Sequence, residues 1–390
     1  MGDQVAAETS GPSSRLRFRV DRRDGLARLG RLRTPHGEVE TPAFMPVGTL
    51  GAVKGMGQDL LVESGAQILM TNLFHLLERV GVERIVGLGG LHRFIGWDGP
   101  LAMDSGGYQV FSLAGLRRVS DGGVLFQSPH DGSRVELTPE RVVEVQERMG
   151  VDLAMVLDEC PPWPVEREAA AESLERTTLW ARRSLDRRGA TGGGGAAGLF
   201  GIVQGSFFED LRLGAVAELA ALPFDGYAIG GVSVGEGRDL GRQAVSWVAP
   251  ALPEDRPRYL MGLGTPEDIL HAVGQGVDLF DCVLPSRNAR HGTLFSSTGM
   301  VRIKNARYRD DPRPVDAACG CSLCRRHSRA FLHHLFRCGE ITAKVLATEH
   351  NVRFFLHFMA GLRRAIAAGG LADFAGAGAR EGTAAEEERR

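Results

Sequence analysis

The sequence predicts an α/β protein, a (β/α)8 TIM barrel followed by a small C-terminal subdomain, on three observations. Short apolar runs that end in Gly, Asp or Gln alternate with longer helical patterns, as βα units do. Eight such runs can be counted, the number that barrel requires. Beyond the eighth, three of the chain's six cysteines crowd between Cys319 and Cys324.

In order, the runs are AFMPVG from Ala43, QILMTN from Gln67, PLAMDSGG from Pro100, DLAMVLDE from Asp152, LFGIVQG from Leu199, GYAIGG from Gly226, RYLMGLG from Arg258 and LFDCVLP from Leu279. The clearest helix between them is LTPERVVEVQERMG: Thr138 is an N-cap candidate, Pro139 suits the first turn, and Val142, Val143, Val145 and Met149 give one apolar side. Before it, VLFQSPHDGSRVEL reads as a hairpin with Asp131-Gly132 in its turn, an excursion at the barrel mouth. ATGGGGAAG, from Ala190 to Gly198, reads as a flexible loop before the fifth strand. Residues 1–14 and 367–390 lack a sustained apolar face and are expected to be disordered. That leaves 15–300 for the barrel and 301–366 for the cysteine-bearing subdomain with its closing helices.

At 390 residues and 43% hydrophobic, the chain can bury a large core. A net charge of -2 confines any nucleic-acid surface to a local patch. No run approaches the roughly 18 apolar residues of a membrane span, and MGDQVAAETSGPSS has no signal-peptide pattern, so a cytoplasmic protein is expected. Six cysteines are too few for a disulfide scaffold of this length.

In such a barrel, functional residues gather at the carboxyl ends of the strands. Those ends carry Asp104 on the third, Asp158 and Glu159 on the fourth, Gln204 on the fifth, Gly230 and Gly231 on the sixth, Gly262 and Gly264 on the seventh and Asp281 on the eighth. Taken singly, each is more often a cap or a satisfied polar group; their convergence is what points to a pocket. Two carboxylates can divide labour, one attacking an electrophilic carbon and the other moving a proton, and Asp104 and Asp281 are the candidates. Asp158, Gln204 and the Gly230-Gly231 backbone offer donors and acceptors for the edge of a planar polar ligand. Tyr108 and Met261 could sandwich its faces, although each taken alone is more often core than pocket.

The strongest local signal is CGCSLC, with Cys319, Cys321 and Cys324 in C-x-C-x2-C spacing. Three thiolates with one imidazole make a closed, structural zinc site. His350 is favoured as the fourth ligand because it would tie a second segment to the cluster; His327, His333, His334 and Cys338 compete. The fold class is then α/β, a (β/α)8 TIM barrel with a C-terminal zinc-binding subdomain. From Arg287 to Lys344, twelve basic residues against four acidic ones leave a net +8, which suits a polyanion such as RNA and makes Arg287 and Arg290 candidate RNA contacts. A merely solvated surface is the alternative reading of that charge run.

Together these residues resemble the bacterial tRNA-guanine transglycosylase family, through FMPVGT at Phe44, GAQI at Gly65, MDSGGYQVFSL at Met103, LTPE at Leu137, DECPPWP at Asp158, GIVQG at Gly201, GYAIGGVSVGEG at Gly226, LMGLG at Leu260, FDCVLPSRNARHG at Phe280 and CGCSLC. The resemblance implies a zinc-bearing TIM barrel, one structural Zn2+ per subunit of a homodimer, that exchanges guanine at the wobble position of tRNA with a G-U-N anticodon for a 7-deazaguanine in queuosine biosynthesis. It implies Asp281 as nucleophile on the ribose C1′ and Asp104 as general acid/base. Ser105, Asp158, Gln204, Gly230 and Gly231 would bind the base, Tyr108 and Met261 would stack on it, and Cys160 and Val234 would shape a pocket for 7-aminomethyl-7-deazaguanine (preQ1). It also implies the zinc ligands Cys319, Cys321, Cys324 and His350. The chain departs from the family pattern at Leu73, at Arg79-Val80-Gly81, at His291, and at Thr265, where a lysine that contacts the anticodon loop is common. Two other readings compete: a non-catalytic RNA-binding partner subunit, and a barrel nucleosidase or glycoside hydrolase, in which water would resolve the covalent intermediate.

Overall fold

A computed structural model describes residues 9–10, 16–112, 117–128, 131–190 and 197–374. Residues 113–116, 129–130 from the expected hairpin, 191–196 from the expected glycine-rich loop, and most of both termini lie outside them.

Each of the eight apolar runs forms one strand of a single parallel sheet: β1 (Ala43–Pro46), β2 (Leu69–Asn72), β3 (Leu101–Asp104), β4 (Leu153–Met155), β5 (Gly198–Val203), β6 (Gly226–Ile229), β7 (Arg258–Leu260) and β8 (Leu279–Cys282). Their order is β1-β8-β7-β6-β5-β4-β3-β2, and a parallel bridge between Val47 and Met70 joins the two ends into a barrel. Nearly every strand residue is buried. That explains why the runs are continuously apolar rather than alternating: helices cover the outer face and packed side chains fill the inner one.

Helices follow the strands in turn. Pro139–Met149 starts where expected: the Thr138 hydroxyl accepts the Arg141 N–H at 3.2 Å, and Val142, Val143, Val145 and Met149 are buried. The excursion before it is a three-stranded antiparallel sheet rather than a lone hairpin, Arg117–Ser120 pairing with Gly123–Gln127 and that with Arg134–Leu137. The first of these strands is too polar to stand out from sequence.

The cysteine-cluster region is inserted between β8 and the barrel's last outer helix. It has its own small core, including Leu294, Val301, Ile303, Val315, Leu323 and Leu332. The long Ile341–Ala368 helix belongs to both units. Ala343 and Ala347 sit in the small core, whereas Val352, Phe355, Met359 and Leu362 pack into the main one, with the Phe355 ring 5.1 Å from Phe44 on β1. The chain continues in helix beyond Gly369–Gly370, where Leu371 donates its N–H to Asp24 at 2.9 Å and Phe374 packs against Phe358. Residues 367–374, placed by composition in a disordered tail, are therefore anchored by the few apolar side chains that tail contains.

The amino-terminal end of the barrel is closed by a four-stranded antiparallel sheet, Thr9–Ser10, Arg17–Asp24, Ala27–Thr34 and Gly37–Thr41, which the barrel rhythm does not disclose. Its attachment follows a rule. Asp152, Asp225 and Asp278 each immediately precede an even-numbered strand, and each carboxylate accepts an N–H from the first or second residue of the strand before it: Leu101 at 2.8 Å, Leu199 at 2.9 Å and Arg258 at 2.7 Å. These buried carboxylates need polar partners. Arg28 from the N-terminal sheet serves Asp278 through an Nε contact of 3.0 Å, Arg188 serves Asp225, and His36 and His92 flank Asp152 at 2.9 and 3.3 Å. The stacked rings of His36 and His92, 3.7 Å apart, thus brace the floor.

Candidate active site and metal centre

At the opposite end, the strand termini line one cavity of about 670 Å³. It brings together Asp104, Ser105, Tyr108, Asp158, Cys160, Gln204, Gly230, Gly231, Val234, Met261, Asp281 and Arg287. Glu159 is excluded, because it pairs with Arg176 instead and so faces the outer helices. Arg290 also lies apart, its guanidinium turned back onto the Ser286 carbonyl at 2.9 Å.

The two carboxylates expected to carry the chemistry share this cavity but have different partners. Asp104 accepts the Asn72 side-chain amide at 2.7 Å and the Gly106 N–H at 3.1 Å. Burial raises its pKa to about 7, against the Asn72 bond and with a smaller push from the Asp281 charge. Asp281 accepts both the Tyr259 hydroxyl at 2.6 Å and the Gly262 N–H at 2.7 Å on Oδ1. Burial raises its pKa too, while these two bonds favour the anion. The second oxygen, Oδ2, has no hydrogen-bond partner among the described residues.

Beside them, Asp158 is bridged by the Ser105 hydroxyl at 3.2 Å and the Gln204 amide at 2.7 Å. Burial lifts its pKa to about 6, with both bonds opposing the shift. Gln204 Oε1 is buried and has no hydrogen-bond partner among the described residues, so an acceptor stays open there. Cys160 is a buried wall residue whose thiol burial pushes up to about 12, which keeps it neutral. Tyr108 is 57% exposed, an open platform at the rim. The glycines of the Asp104 turn are demanded by space. A Cβ on Gly106, whose φ is +76°, would meet Phe74 at 2.7 Å, and one on Gly107 would meet the Asp158 carbonyl at 2.8 Å.

Several residues of the site were silent in the sequence. Asn72 ends the second apolar run, in parallel register with Asp104, and a strand-end polar residue could have been suspected there. Tyr259 and Glu236 gave no signal: the first lies within a buried strand, and the second curls back to accept the Ser233 and Val234 N–H groups in a loop where Ser233 has φ +66°. Thr265 caps the Pro266–Gly274 helix, accepting the Asp268 N–H at 3.2 Å and donating to its carboxylate at 2.6 Å. Leu73 is fully buried, and His291 is exposed in the last turn of Leu284–His291.

In the subdomain, the donor atoms of Cys319, Cys321, Cys324 and His350 all lie within 4.8 Å of one another. The Cys321 and Cys324 sulfurs stand 3.5 and 3.3 Å from His350 Nδ1. A tetrahedron with Zn–S of about 2.3 Å and Zn–N of about 2.0 Å has an S–N edge of about 3.5 Å, so this donor set fits a metal ion. Nε2 of His350 meets the Phe295 carbonyl at 2.6 Å, which fixes the ring with Nδ1 facing the sulfurs. The rival ligands are engaged elsewhere: His333 with the Ile303 carbonyl at 2.8 Å, His334 with Cys338, and His327 stacked on Phe331.

Comparison with known proteins agrees with this geometry. A family model described as queuine tRNA-ribosyltransferase matches residues 23–382. Three relatives bear that same name. The protein of Cereibacter sphaeroides is 51% identical over 94% of this chain and 96% of its own length. That of Dinoroseobacter shibae is 52% identical over 92% and 93%, and that of Nitrosomonas europaea 50% over 92% and 96%. With a barrel of this topology, a Cys3His cluster in its C-terminal insertion and half its residues shared over nearly its whole length, the chain belongs to the queuine tRNA-ribosyltransferase family.

Proposed function

We propose that the chain is a pentosyltransferase, a tRNA-guanine transglycosylase that replaces guanine at the wobble position of a G-U-N anticodon with preQ1 on the way to queuosine. The observation that carries this reading is the placement of Asp104 and Asp281 in one cavity beside a set of groups complementary to a guanine edge. Oδ2 of Asp281 attacks the ribose C1′, and the C1′–N9 bond breaks with its electron pair moving onto the base. Protonated Asp104 neutralises the departing guanine. As a carboxylate it then takes the proton from incoming preQ1, whose nitrogen attacks C1′ and releases Asp281. Asp158 accepts the base N–H groups, Tyr108 and Met261 cover its faces, and Cys160 and Val234 set room for the aminomethyl group.

Cys319, Cys321, Cys324 and His350 would hold zinc, which supplies rigidity because all four positions are protein ligands. Arg287 at the cavity mouth, with Arg290 behind it, would meet anticodon phosphates. A homodimer fits the exposed apolar side chains Phe331 and Ile341 on the subdomain helices. No helix among the described residues is long and apolar enough to cross a membrane, and we place the enzyme in the cytoplasm with its tRNA.

The test is incorporation of labelled guanine and of preQ1 into tRNA with a G-U-N anticodon. Exchange into that position is expected, and Asp281→Ala should abolish the covalent RNA adduct seen on denaturing gels. Base release without incorporation would make the protein a nucleosidase, and tRNA binding without either would make it an accessory subunit.

A further inference from the structure

Arg212, on the Glu209–Ala220 helix that follows β5, is fully buried behind the cavity wall. Its guanidinium makes no ion pair among the described residues and is spent on three backbone carbonyls: Ser206 through Nε, and Gly230 and Gly231 through Nη2, both at 3.1 Å. Nη1 has no partner. Burial draws its pKa down to about 10, so the charge persists at neutral pH. A buried, unpaired cation is a costly thing to keep in a fold. Its position suggests what it does.

In a trans peptide the C=O and N–H groups point in opposite directions. Because the Gly230 and Gly231 carbonyls point back at Arg212, the N–H groups of Gly231 and Val232 point the other way, and both residues line the cavity. Two adjacent donors need an acceptor. On a guanine edge whose N–H groups face the Asp158 carboxylate, that acceptor is the C6 oxygen. A cation bonded to the far side of both peptides polarises them and strengthens these donors.

We propose that Arg212 is a positioning residue that holds the Gly230–Val232 peptides with their N–H groups on the C6 oxygen of the base and strengthens them as the C1′–N9 bond breaks. When that electron pair enters the purine, negative charge grows on the C6 oxygen, so the polarised donors bind the transition state more tightly than the ground state. The inference rests on the base-exchange reading for its effect on turnover, but its binding consequence can be measured separately.

The experiment compares guanine with 2-aminopurine, which lacks the C6 oxygen, by calorimetric affinity to the full-length enzyme and its Arg212→Met and Arg212→Lys variants, with guanine exchange into tRNA assayed in parallel. Arg212→Met is expected to lose about tenfold in guanine affinity, to leave 2-aminopurine affinity and the tRNA KM unchanged, and to lower kcat further. Arg212→Lys keeps the charge but not the fork and should fall between; it carries the test if the methionine variant does not fold. A folded variant with the wild-type guanine to 2-aminopurine ratio would overturn the proposal, as would a parallel fall in both affinities, which marks a merely structural role. Absence of exchange by the wild-type enzyme would sink the transglycosylase reading and leave the affinity ratio to judge Arg212.

Discussion

Asp104 combines a functional gain with a cost in stability. Its folded-state pKa of about 7, like the value of about 6 for Asp158, lies well above the unfolded carboxyl value. The folded protein therefore holds extra protons across the interval between about pH 4 and 7. The associated stability is fully present below that window and is lost as pH rises through the folded pKa. Near neutrality the same pKa suits the proton transfers proposed for Asp104, which would both give and accept a proton in exchanging one base for another. Asp104→Asn should accordingly gain roughly 1–2 kcal/mol at pH 8 and nothing at pH 4 in urea unfolding, the gain being trimmed because the side chain still meets pocket water. Its exchange rate should fall by about 10²–10⁴. Equal pH dependence of stability in variant and wild type would contradict this account. Burial and hydrogen bonding at a single side chain are invisible in sequence: MDSGG offers the aspartate, but the burial that raises its pKa comes from the packed barrel, and Asn72, which tempers that rise, comes from another strand.

At the scale of elements, helix starts and strand ends were the legible parts. Thr138-Pro139 announced its helix because capping is a local interaction within a few residues. Thr265 is a case where chemistry and architecture exchange places: it stands where the family pattern commonly has an RNA-contacting lysine, and here it caps a helix. Thr265→Ala should lower the unfolding free energy by about 1 kcal/mol and leave kcat unchanged. An unaltered urea midpoint would show that Asp268, held by Arg242 at 2.9 Å, suffices without the hydroxyl. The N-terminal sheet went unread because its strands are short in apolar content, with exposed arginines on one side and Leu16, Phe18 and Leu32 on the other. What fixes it is the buried Arg28–Asp278 pair, whose members are 250 residues apart.

For the whole molecule, the Ile341–Ala368 helix couples two cores, and His350 of the Cys3His cluster sits near the junction. Metal binding by a folded site adds to the stability of the elements that carry its ligands. Cys321→Ser should therefore lower metal content and the thermal midpoint together. Proteolysis should open first between Ser297 and Glu340, while guanine affinity at the barrel mouth is retained. A variant with full metal occupancy would remove Cys321 from the ligand set, and loss of guanine binding in step with the metal would mean that the two cores do not melt separately.

The sequence by itself determined the eight-stranded barrel, the cysteine cluster and the residues at the strand ends, because periodicity, capping and ligand spacing act over a few neighbouring positions. Only the tertiary structure decided which of those residues meet. It turned Glu159 outward to Arg176, gathered His350 rather than its four rivals beside the three cysteines, gave Asp281 its Tyr259 partner and set Arg212 behind the Gly230–Gly231 peptides. Those outcomes depend on desolvation and on hydrogen bonds between segments far apart in the chain. No local pattern encodes them, since a buried polar group takes whichever partner the packed barrel brings within reach.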